Sequence, residues 1–198
     1  MLVWETSLCV LNFQTLLSED GIEIAEVACR HRRGRGNPEP SIDRHALVFV
    51  RRGCFVRSVD GVTSLLDPTL AYGMCPGQEQ RYDHPHAGGD DCTTVFVEPA
   101  LLATLWGGEP MLPVQPMPTS PRIDLEHRLL LSACRRQEDR HEQIERALGL
   151  LARLLVSAIS PPWRLMSASP TSPISAARYA KRQAIPLRRY GVSWAMGV

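Results

Sequence analysis

The chain has 198 residues, of which 44% are hydrophobic and 22% charged, with a formal net charge of +1, a composition that can bury one sizeable core. No apolar stretch approaches the roughly 20 residues that a membrane-spanning helix needs, and the opening MLVWETSLCV carries Glu5 where a secretory leader would have its apolar run. A helical membrane protein is excluded, the sequence reads as cytoplasmic, and its six cysteines, which form no CxxC pair, are expected to be thiols or ligands rather than a disulfide framework.

From residue 8 to residue 107 the pattern is that of short strands cut by turn signals, as in an antiparallel sandwich or barrel. The predicted strands are Leu11 to Leu17, Ile22 to Cys29, Ala46 to Arg51, Phe55 to Val59, Val62 to Leu66, Leu70 to Cys75, Gln78 to Tyr82 and Cys92 to Val97. Eight strands suit a jelly roll. The clearest turn is Asp60-Gly61 between FVRSV and VTSLL, because a two-residue hairpin loop needs positive φ at both central positions. Residues 32 to 43 read as a polar loop whose arginines, Arg32, Arg33 and Arg35, are solvated.

A short helix beginning at Pro99 and stopping at Gly107 leads into a helical hairpin over 120–160. Ser120 followed by Pro121 opens the first helix, which runs to about Arg136. Asp139 with Glu142 forms a capping box for the second, which Pro161 ends. Ile144, Leu148, Leu151 and Leu155 lie on one stripe of that second helix, whereas Leu150, Leu154 and Val156 lie off it; a partner subunit, giving a homodimer through these helices, would cover the excess, the alternative being that the pair packs entirely on its own sheet. His127 and His141 are expected to face solvent. Charge divides along the chain: residues 1–145 carry 14 basic and 21 acidic side chains, and residues 146–198 carry eight basic and none acidic. The tail 161–198 is basic and rich in Pro and Ser, and is expected to be mostly mobile, with one helix around Ile174 to Ala184.

The run HALVFVRRGCFVRSVDGVTSLLDPTLAYGMCPGQEQRYDHPHAGGDDCTTVFVEPALL resembles the N-terminal sensor domain of AraC-type transcriptional regulators. The similarity starts near TLLSEDGIEIAEVACR and continues to about Ile159, three quarters of the chain. It implies a cupin-like jelly roll whose mouth takes a small-molecule effector, followed by helices that dimerise the regulator. The family's DNA-binding domain, with two helix-turn-helix units, has no counterpart in the tail, where no recognition helix can be placed. The expectation is therefore a truncated or orphan sensor that pairs with itself or with a full-length relative and does not by itself bind DNA specifically.

Chemistry concentrates at His84-Pro85-His86-Ala87-Gly88-Gly89-Asp90-Asp91-Cys92. In one reading, a small metal-dependent cupin enzyme, His84 and His86 form an HxH pair on one strand face with Asp90 or Asp91 as the carboxylate. Pro85 counts against it, since it removes a ladder donor, and no second strand histidine follows. In the other reading Cys29, His45, His84 and Cys92, drawn from separate segments, form a structural zinc site of two thiolates and two imidazoles. There is no GxSxG elbow, no lysine-bearing phosphate loop and no HExxH helix, and the protein is expected not to be an enzyme. For the effector, Phe49, Phe55, Tyr72, Tyr82 and Phe96 are the expected lining, with Arg51, Arg57 and Arg81 as anion anchors.

Overall fold

The computed structural model describes residues 2–6, 9–19, 21–31, 38–39, 43–106 and 112–159. The arginines of the polar loop, the tail 161–198 and its expected helix lie outside the described residues. The strands form two antiparallel sheets. In the larger, β1 (Leu2–Thr6), β2 (Cys9–Glu19), β3 (Ile22–His31), β10 (Asp90–Val97), β5 (His45–Arg52), β8 (Leu70–Met74) and β11 (Met117–Pro118) lie side by side in that order. The smaller contains β4 (Pro38–Glu39), β9 (Gln80–Asp83), β6 (Phe55–Val59) and β7 (Val62–Leu66).

The pairing is nested: β6 with β7, β5 with β8, β4 with β9 and β3 with β10. Residues 22–97 are thus one long hairpin rolled across two sheets, which is a jelly roll. Its tip is the predicted turn, with Asp60 at φ 49° and Gly61 at φ 76°, the positive pair that a tight hairpin between right-twisted strands demands. The expected fold, an antiparallel jelly roll followed by an antiparallel helical hairpin, is the fold observed. All eight expected strands are present, Phe55–Val59 and Val62–Leu66 with the expected bounds and the other six with shifted ends; β1, β4 and β11 were not expected.

Side-chain alternation gives the larger sheet two different faces. One faces the smaller sheet and encloses Val48, Val50, Phe55, Leu66, Tyr72 and Cys92. The other carries Ile22, Ile24, Leu47, Phe49, Val95 and Val97 against α1 (Pro99–Trp106), α2 (Pro121–Arg135) and α3 (Arg140–Ile159). Both hairpin helices start as predicted: the Ser120 side chain accepts from the Ile123 amide at 3.3 Å, and Asp139 Oδ1 accepts from the Glu142 amide at 3.1 Å.

Two expectations about these helices are corrected. Leu150 and Leu154 do not lie off the buried stripe; with Ala147, Leu151 and Leu155 they are its centre, because α3 packs against α1, α2 and β11 at once. Their excess of apolar surface is therefore covered within the chain, and only Val156 remains exposed. His127 does not face solvent. It shares the buried face of α2 with Ile123, Leu130, Leu131 and Cys134, at helical spacing from them, and stacks on Phe49 with ring centroids 4.6 Å apart. His141 is exposed as expected.

Burial, reinforced by the nearby Arg51 guanidinium, lowers the His127 pKa to about 4. The neutral imidazole is the form that fits. Above pH 6.5 the group is neutral in folded and unfolded chains alike and contributes no pH dependence; as pH falls from about 6.5 to about 4 only the unfolded state takes the proton, and stability drops by on the order of 3 kcal/mol. Urea denaturation between pH 7 and pH 4 is expected to show this slope in the wild type and a reduced slope in His127→Leu; equal slopes would place the acid sensitivity elsewhere.

Candidate metal centre

One end of the barrel brings a thiol, an imidazole and a carboxylate together. Cys29, near the end of β3, is the register partner of Asp90, the first residue of β10. The chain leaves β9 at Asp83, and His84 turns inward before the loop 85–89 returns into β10. His84 Nε2 lies 2.8 Å from Asp90 Oδ2. One ligating atom each from Cys29, His84 and Asp90 falls within 4.8 Å of the others, and the three residues are 4%, 5% and 6% exposed. Cys92, two residues along the same face of β10, donates its S–H to Asp90 Oδ1 at 3.4 Å. Burial and the adjacent Asp90 carboxylate push the Cys92 thiol well above its usual range.

Backbone geometry, not side-chain packing alone, holds Asp90 there. Gly88 and Gly89 have φ of 116° and 70°, letting the loop reverse in a short span. Gly53, at φ 82°, lies against that loop so closely that a Cβ would fall 2.4 Å from the Gly89 carbonyl oxygen and 3.0 Å from Asp90 Cα. Only glycine meets both conditions without displacing the aspartate.

The donors suit zinc, which accepts thiolate, imidazole and carboxylate at about 2.0–2.3 Å. Zinc bonds of that length around one tetrahedral ion put neighbouring donors about 3.5 Å apart, within the spacing observed. Three of the four expected ligands, Cys29, His84 and Cys92, are brought to this end of the barrel. His45 is not: it pairs with Val97, whereas Asp91 at the metal end pairs with Arg52, and six residues of extended strand at about 3.3 Å each separate the two levels by about 20 Å. Asp90 stands where His45 was expected. The HxH pair does not form either, since Pro85 ends the strand after His84 and leaves His86 in the exposed loop.

The residues expected to line an effector pocket are divided among four places. Phe55, Arg57, Tyr72 and Tyr82 share the barrel interior, with Phe55 edge-on to Tyr72 and Tyr82 at 6.2 and 5.7 Å and 6.1 Å from the His84 ring. Arg57 is 2% exposed; it donates to Gln80 Oε1 at 2.8 Å and to the Gly73 carbonyl at 2.9 Å, and lies over the Tyr72 ring at 4.6 Å. Burial raises the Tyr72 hydroxyl pKa well above the usual range, keeping it neutral. Phe49 and Arg51 occupy the opposite face, under the helices. Phe96 lies beside Phe13 at 6.0 Å beneath the Arg44 guanidinium, and Arg81 is half-buried near Asp83.

A scan against protein-family models finds no match, and neither does a search of curated proteins. Solved structures do show similarity. The cupin domain of Schizosaccharomyces pombe Cnp3 is 13% identical over 55% of this chain and 76% of that one, with a TM-score of 0.41. The cupin_2 domain of an XRE family transcriptional regulator from Enterobacter cloacae is 13% identical over 45% and 97%, with a TM-score of 0.39. KdgF from Halomonas sp. is 12% identical over 50% and 89%, also at 0.39.

Gly53→Ala is expected to cost at least about 1–3 kcal/mol from backbone strain alone and to displace Asp90 through the clash with the loop. Gly61→Ala, which also sits at positive φ but with nothing within 4 Å of its Cβ, is expected to cost only the strain. Comparing the two by denaturation and by zinc affinity separates the effects: both variants lose stability, and only Gly53→Ala loses affinity.

Proposed function

We propose that the chain is a metal-binding, ligand-sensing and dimerising regulatory domain of the AraC sensor type, in which Cys29, His84 and Asp90 hold zinc and Cys92 serves as fourth donor. The observation that carries this reading is the buried cluster of one thiol, one imidazole and one carboxylate at the end of the jelly roll. A closed donor set with thiolates favours a structural or regulatory ion over a catalytic one, which keeps a position open to water. Held there, the ion supplies charge that fixes Cys29 of β3, His84 of the β9–β10 loop and Asp90 of β10 as one unit. Phe55, Tyr72, Tyr82 and Arg57 line the interior beside it, where a small effector with an anionic or aromatic group finds its contacts. The position is cytoplasmic.

Purified protein is expected to bind about one zinc per chain, with cobalt giving the visible absorption of a thiolate-ligated ion and zinc raising the melting temperature by mass action. Cys29→Ser and Asp90→Asn are expected to weaken binding at least about 10-fold, as ligand-shell changes do, while His45→Ala leaves it unchanged. Absence of bound ion and an unshifted melting temperature would discard the metal.

Dimerisation is supported by Leu125 and Leu129, four residues apart on α2, and Val156 on α3, large apolar side chains that remain exposed. Sedimentation is expected to show a dimer that Leu125→Asp with Leu129→Asp converts to a folded monomer. A wild-type monomer, or a dimer indifferent to the pair of changes, would move the interface elsewhere.

A further inference from the structure

Strand β10 touches the metal centre with one face and the helices with the other, and a continuous set of hydrogen bonds joins the two. The pairing of β10 with β5 is irregular between Asp91 and Cys92, where Asp91 faces Arg52 and Cys92 faces Val50. A bulge of this kind takes a residue out of the regular ladder. At that point Arg51 Nη2 donates to the Cys92 carbonyl at 3.2 Å, while the Cys92 thiol reaches Asp90 on the other face. Arg51 also donates from Nη1 to Glu26 Oε1, crossing β10 to do so, and the same oxygen accepts from Arg135 Nη2 in the last turn of α2. Glu26 and Arg51 are 17% and 21% exposed, so this carboxylate between two guanidiniums is screened less than a surface pair.

We infer that the Arg51–Glu26–Arg135 bridge carries the state of the metal centre to the hinge end of the helical hairpin. The inference rests on the metal reading above. An ion drawing Asp90 and Cys29 together acts on the first residues of β10, opposite the extra residue Arg51 that the bulge places in β5 between the partners of Asp91 and Cys92; the Cys92 carbonyl moves with it, Arg51 follows the carbonyl, and Glu26 with Arg135 follows Arg51. A bridge that merely docks α2 would hold the helix equally with and without the ion. A bridge that transmits would hold it differently in the two states, and linkage makes the effect reciprocal.

The test uses the full 198-residue chain, zinc as the titrant and cobalt absorption to report the ion at its site independently of the helices. Hydrogen exchange at residues 132–136 reports the hinge. Zinc is expected to change exchange there by about fivefold or more, the low end of site-to-site coupling. In Glu26→Gln and in the milder Arg135→Gln, cobalt spectra persist and the zinc-dependent change disappears. A wild type that binds zinc with no change at the hinge overturns the coupling and leaves the metal centre intact, as does a change that survives in both variants. A wild type that binds no ion overturns the metal reading and the coupling together, and the two failures are told apart by the cobalt spectrum.

Discussion

The parity of β10 is the constraint on which the rest of the molecule depends. Asp90 and Cys92 point into the barrel with the Cys29 side of β3, whereas Thr93, Val95 and Val97 point to the helices. A slip of one residue would exchange the two sets, turning Asp90 and Cys92 out of the barrel and Val95 and Val97 into it. The register is held against such a slip from both sides, because β10 is paired along its length with β3 and with β5. It is also held chemically at its first turn. Burial alone would raise the Asp91 carboxyl, yet Arg52 and Arg30, at 2.6 and 2.7 Å, outweigh it and keep the group below its ordinary range. Two adjacent aspartates thus have opposite roles, one fixed outside by arginines and the other enclosed with a histidine.

That enclosure is costly. A carboxylate in an apolar interior loses its hydration, and the His84 imidazole with the weakly donating Cys92 thiol replaces only part of it. Elsewhere in the same barrel polar groups are matched more fully: Arg57 and the Tyr82 hydroxyl both donate to Gln80 Oε1, at 2.8 and 2.7 Å, and Arg57 finds a backbone carbonyl as well. The contrast is informative. Around Arg57 the interior is a closed network of donors and acceptors, and such networks give a core its uniqueness. Around Asp90 the neighbours are a thiol, a second thiol and an imidazole, groups that share an affinity for a soft-to-borderline cation more than for one another.

Much of this fold can be read from the sequence because its signals are local. Asp60-Gly61, Ser120-Pro121 and Asp139 with Glu142 each act within four residues, and each does in the structure what its chemistry requires. The metal end was partly legible for the same reason: Cys29 and Cys92 stand at strand ends, and His84 precedes a proline. His45 also begins a strand, but whether a strand begins at the same end of the barrel as another depends on nested antiparallel pairing, which is not a local property. Asp90 was harder to place because Gly88-Gly89-Asp90-Asp91 has the composition of a turn, although the turn is finished by Gly89. The burial of His127 was hidden for a different reason: polarity suggests solvent, while its spacing from Ile123, Leu130, Leu131 and Cys134 puts it on the apolar face, and spacing prevailed.

The hairpin is fastened to the sheet by different physics at its two ends. Before α2 the chain is tied by backbone and apolar contacts: Met117 and Pro118 extend the β8 ladder, the Thr119 amide donates to the Thr69 carbonyl at 2.9 Å, and Met117 is fully buried. At the α2–α3 turn the ties are ionic, Arg135 to Glu26 and Arg140 to Glu19. Apolar and backbone contacts respond weakly to a change of charge at a distance, whereas ion pairs respond directly, through geometry and through field. The ionic end is also the end that the Cys92 carbonyl of β10 reaches through Arg51 and Glu26. The hairpin is thus fastened by backbone and apolar contacts where α2 begins and by ion pairs at the turn between α2 and α3.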